Sequence, residues 1–97
     1  MAKAYWVSLY REIKDPAKLA AYAELAAPAI QAAGGRFLAR GGRIESHEAG
    51  VDERTVIVEF DSFEQASETY NGEAYGAALK KLEGGVVRDL RIVEALE

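Results

Sequence analysis

No cysteine occurs anywhere in the sequence, which excludes disulfides, thiolate catalysis and cysteine-ligated metals. A single histidine, His47, leaves no His-rich metal set, and its flanking Glu45 and Glu48 match no ligand spacing. No apolar run approaches the length that spans a bilayer. Basic residues never cluster beyond the Lys80-Lys81 pair, and the net charge is −4. Nucleic-acid binding needs clustered positive charge, so that class of partner is not expected. The opening Met1-Ala2-Lys3-Ala4 lacks the apolar core of a secretory signal, so the expected location is cytoplasmic and no membrane partner is expected.

What is present suits one small domain over residues 1–97, with half of the residues apolar (49%) and therefore a feasible core. Small domains without disulfides often complete their cores by self-association. The stretch Tyr5 to Tyr10 is aromatic and β-branched, as strands are. Asp15-Pro16 supplies a helix cap followed by proline at the first helical position. Leu19, Tyr22, Ala26, Ala29 or Ile30, and Ala33 continue at helical spacing. Pro28 within that helix is expected to kink it, and Gly34-Gly35 to end it.

A second strand is expected from Arg36, continuing with an interruption to about Glu48. Arg54 to Asp61 reads as a third strand. Ser62 followed three residues later by Gln65 fits a capping box that opens a second helix. Asn71-Gly72 breaks this helix, Glu73 to Leu82 continues it, and Val86 to Ala95 forms the last strand. The order βαββαβ predicts an α+β, ferredoxin-like domain: a four-stranded antiparallel sheet with two helices on one face.

Alternation assigns the sheet faces. Tyr5, Val7 and Leu9 form the more uniformly apolar set of the first strand and are assigned to the helices, with Val56, Val58 and Phe60 of the third. Trp6, Ser8, Tyr10, Ile57 and Glu59 then occupy the open face, where a partner would enclose a cleft. A bulge at Gly41-Gly42 would place Arg36, Arg40 and Arg43 on the open face too, with Glu59 and Asp61 as partners of Arg43 and Arg40. The glycine-rich stretch Gly34 to Arg43 is not a phosphate loop, because a helix precedes it, a strand follows it, and no Lys-Ser/Thr ends it.

The candidate site on that face has Arg40 and Arg43 as anion anchors, Trp6 and Tyr10 as apolar walls, and the Tyr70 hydroxyl at the mouth. Arg40 locked to Asp61 in a filled interior would instead serve only the fold. Glu59 is the candidate general base, if it is not held in an ion pair. His47 reads as surface decoration.

Together these residues resemble domain-of-unknown-function family 1330, of the dimeric α+β barrel superfamily. The resemblance rests on Tyr5-Trp6, Asp15-Pro16, the run from Gly34 to Gly42, Val58 to Ser62, and Tyr70-Asn71 with Tyr75. It implies a homodimer whose two sheets face each other, and no established activity. Thr69 stands where the family has tryptophan, and His47 where it has an apolar residue. The related barrel families include cofactor-independent monooxygenases, lactone isomerases and haem-binding enzymes. With His47 poorly placed for a haem, no cofactor is expected. The resulting expectation is a homodimer binding a small anionic or aromatic metabolite, with monooxygenase- or isomerase-type chemistry as its enzymatic version. A non-catalytic interaction module with a filled interior is the alternative.

Overall fold

The computed structural model describes residues 2–96; Met1 and Glu97, the ends of the expected domain, lie outside the described residues. The elements follow in the order β1 (Ala4–Ile13), α1 (Pro16–Ala32), β2 (Arg36–Arg40), β3 (Thr55–Phe60), α2 (Phe63–Tyr70), α3 (Glu73–Leu82) and β4 (Val86–Glu94). The sheet order is β2-β3-β1-β4, and every neighbouring pair is antiparallel. This is the ferredoxin-like α+β architecture, with α2 and α3 as two halves of a helix broken at Asn71-Gly72. Among the described residues, no helix is long and apolar enough to cross a membrane.

Local chemistry sets the ends of these elements. Asp15 caps α1 by accepting from the amides of Ala17 and Lys18, and α1 runs on through Pro28. Ser62 caps α2 through the Gln65 amide. The Gln65 side chain accepts from the Asp61 amide and donates to the Ala33 carbonyl, which ties the end of α1 to the start of α2. Gly35 is buried where the chain enters β2. A Cβ there would come within 2.6 Å of Ile30 and 2.9 Å of Phe60, so only glycine lets the backbone lie this close to the core.

The sheet faces differ from the sequence expectation for β1 and β2. Trp6 lies opposite Val58, and Ser8 opposite Val56. Directly opposed residues share a face, so Trp6, Ser8 and Tyr10 are buried beneath the helices with Val56, Val58 and Phe60. Tyr5, Val7 and Leu9 take the open face with Ile57 and Glu59. The larger aromatic set won the interior because burying tryptophan and tyrosine removes more apolar surface from water than burying valine and leucine.

In β2 the bulge falls at Leu38 and not at Gly41-Gly42. Phe37 pairs with Val58, whereas Ala39 pairs with Ile57 and Arg40 with Val56. The extra residue puts Phe37 and Arg40, three positions apart, on the same helix-covered side. The strand ends at Arg40, where Gly41 adopts φ +70° and turns the chain out of the sheet; residues 44 to 48 form no strand.

Candidate functional site

Helix α1 presents Ala23, Ala26 and Ala27 towards the sheet. These side chains are too short to fill the space that the neighbouring Tyr22 and Ile30 hold open. The result is a cavity of about 40 Å³ between α1 and the sheet, room for a few water molecules or one small anionic group. Trp6 and Tyr10 form part of its wall, and Phe37 and Arg40 of β2 line it as well.

Arg88 of β4 supplies the chemistry at its base. It lies across from Tyr10 in the sheet. Its Nη1 donates to the Ser8, Tyr10 and Tyr22 hydroxyls at 3.3, 3.3 and 3.2 Å, and its Nη2 donates to the Tyr75 hydroxyl at 2.9 Å. The Tyr22 and Tyr75 hydroxyls are themselves hydrogen-bonded at 2.5 Å, which joins α1, α3, β1 and β4 at one point. Burial opposes the Arg88 charge, but Tyr22 and Tyr75 beside it hold its pKa above the ordinary value. Burial pushes the Tyr75 phenol well up, Tyr22 adds to this and Arg88 opposes it, so Tyr75 stays protonated.

Two further arginines reach the cavity. Arg40 stacks over the Phe37 ring at 4.4 Å, and Arg54 lies 6.0 Å from the Tyr10 ring centre. The Nε of Arg54 is buried with no hydrogen-bond partner among the described residues. Among the described residues, none of the three arginines forms an ion pair and no carboxylate lines the cavity. Positive charge from Arg54, Arg88 and the more exposed Arg40 therefore gathers around this cavity.

The structure thus brings Trp6, Tyr10 and Arg40 together, as the sequence reading grouped them, but on the helix side of the sheet. Arg43 is exposed beyond the end of β2 and does not line the cavity. Tyr70 packs against Trp6 and Tyr75, with ring centres 5.7 and 5.4 Å apart, and its side chain lies outside the cavity lining. Glu59 projects from the opposite sheet face, held by Arg36 at 3.0 Å and Lys3 at 3.7 Å. Arg36, and not Arg40 or Arg43, is also the partner of Asp61, at 3.1 Å. His47 pairs with Glu45 on the surface. Arg88, Arg54 and Tyr22 were missed: arginine in a terminal strand reads as solvated, and only the register with Tyr10 turns Arg88 inward.

A family model described as "Domain of unknown function (DUF1330)" matches residues 3–96. The chain belongs to the DUF1330 family. No curated protein matches it. Among solved structures it is similar to the RPA0582 protein of unknown function from Rhodopseudomonas palustris, with 19% identity and a TM-score of 0.78 over 99% of this chain and 84% of that one. It is similar to SnoaB, a cofactor-independent oxygenase from Streptomyces nogalater, with 11% identity and a TM-score of 0.67 over 100% and 96%. A dimeric ferredoxin-like protein of unknown function from Thermobifida fusca YX matches with 14% identity and a TM-score of 0.57 over 97% and 92%. At these identities the likeness carries the fold; DUF1330 membership adds no activity to it.

Proposed function

We propose that this DUF1330 protein binds a small anionic metabolite in the cavity between α1 and the sheet. One observation carries the reading: the Arg88 guanidinium is partly buried at the cavity with no carboxylate partner among the described residues. A buried charge left without a counter-ion is expensive, and a ligand carboxylate satisfies it with charge-assisted hydrogen bonds. The carboxylate sits at Arg88, while the ligand body extends along Tyr10 towards Phe37 and Arg40, where an aromatic or apolar part is accommodated.

Binding is favoured over base catalysis, because neither a carboxylate nor an imidazole lines the cavity among the described residues. Oxygenase chemistry, of the sort named for SnoaB, or isomerase-type chemistry would rest here on the cavity tyrosines. The open sheet face supports a homodimer: Leu9, Val87 and Val93 are exposed there, beside Tyr5, Val7 and Ile57. Calorimetric titration with acetate and pyruvate tests the site. Binding that Arg88→Leu abolishes and Glu59→Gln leaves intact is expected; binding indifferent to Arg88→Leu would overturn the reading.

A further inference from the structure

The hydroxyls around Arg88 have a direction. A phenol or serine oxygen that accepts a hydrogen bond from a guanidinium turns its own proton elsewhere. Ser8, Tyr10, Tyr22 and Tyr75 all accept from Arg88. Tyr75 is 1% exposed and does not line the cavity; besides Arg88, only the Tyr22 oxygen lies within hydrogen-bonding distance of its hydroxyl among the described residues. If Tyr22 donated to Tyr75, the Tyr75 proton would be buried without an acceptor, an arrangement that proteins avoid. Tyr75 therefore donates to Tyr22. The Tyr22 oxygen then receives from both Tyr75 and Arg88, and its own proton is free to point into the cavity that it lines. Ser8 and Tyr10 line the same cavity, and their protons have no acceptor among the described residues.

We propose that this cavity is a donor array that selects a ligand whose buried end carries acceptors only, a 2-oxo carboxylate or a comparable small carboxylate, and that Tyr22 is the specificity-determining donor to its oxo or carboxylate oxygen. The proposal rests on the anion-binding reading and sharpens it. A 2-amino acid is rejected, since its ammonium group would bring donors against hydroxyl protons and positive charge against Arg40, Arg54 and Arg88. The cavity volume of about 40 Å³ restricts the buried end to a small group such as a carboxylate with its neighbouring oxo carbon. Tyr75 acts as a positioning residue, fixing the direction of the Tyr22 proton without touching the ligand.

Calorimetry with pyruvate and alanine tests this on the full chain, with circular dichroism as the folding control. Pyruvate is expected to bind at least about tenfold more tightly than alanine, and Tyr22→Phe to weaken pyruvate by about tenfold, the usual effect of losing a hydrogen bond to a charged ligand. Tyr75→Phe, which frees the Tyr22 proton to turn away from the cavity, is expected to weaken pyruvate by about threefold, less than Tyr22→Phe does. Should Tyr22→Phe fail to fold, Tyr10→Phe removes a second cavity donor and is expected to weaken pyruvate in the same direction. Pyruvate affinity lost in Arg88→Leu but untouched by Tyr22→Phe and Tyr10→Phe, or equal affinity for alanine, would overturn the donor array while leaving the anion site. Affinity unchanged in Arg88→Leu would overturn both.

Discussion

The Arg88 guanidinium donates to Tyr75 at 2.9 Å through one terminal nitrogen and to Tyr22 at 3.2 Å through the other. With the Ser8 and Tyr10 hydroxyls, this grip gathers two helices and two strands around a charge that has no carboxylate partner among the described residues. Stability and binding are therefore expected to part company at this residue. Arg88→Met keeps much of the side-chain volume and removes the unpaired buried charge. It is expected to change stability by no more than about 1 kcal/mol in either direction, read by urea denaturation, while abolishing carboxylate binding.

Glu59 sits on the far sheet face in ion pairs with Arg36 and Lys3. Glu59→Gln is expected to leave carboxylate affinity within about twofold of the wild type, a change too small to indicate a lost hydrogen bond. A tenfold loss in the same calorimetric titration would bring the open face back into the site.

Gly35→Ala would push a methyl group against Ile30, Phe60 and Val58, all within 3.0 Å of the new carbon. Overpacking of this kind costs about 1–3 kcal/mol. Chemical denaturation should show that loss, whereas Gly42→Ala, with nothing within 4 Å, should be close to neutral.

Asp89 accepts from Arg91 at 2.9 Å, and that hydrogen bond, against a smaller opposing effect of desolvation and with help from the charges of Arg91 and Arg11, holds its carboxyl below the usual value. A carboxylate depressed in the folded state stabilises fully above its unfolded pKa of about 3.9 and loses that contribution as the pH falls through the folded value. Thermal melts should accordingly show wild type above Asp89→Asn near pH 6, with the gap closing below about pH 4.

The exposed apolar residues of the open face lead to an expectation for assembly. Sedimentation should give twice the 10.5 kDa chain mass, and Val93→Asp should shift the population towards monomer. A wild-type monomer at micromolar concentration would remove the dimer proposal.

The element order, both caps and the helix break at Asn71-Gly72 were legible in the sequence, because each depends on a few adjacent residues. The faces of β1 and β2 were not. Trp6, Ser8 and Tyr10 alternate as regularly as Tyr5, Val7 and Leu9, and only the register with Val58 and Val56 decides which set is covered. The bulge at Leu38 has no glycine to announce it, while Gly41-Gly42 offered a false one. Arg40 was found through its neighbours but placed on the wrong side. Arg88 was invisible because its burial comes from pairing across the sheet with Tyr10, far away in sequence.

The most direct test of the anion site is a crystal soaked in bromoacetate, with the bromine located by its anomalous signal. A peak is expected in the cavity between α1 and the sheet, with the carboxylate against Arg88 and Tyr22. A peak confined to the open face beside Arg36 or Arg91, with the cavity unlabelled at saturating bromoacetate, would contradict it.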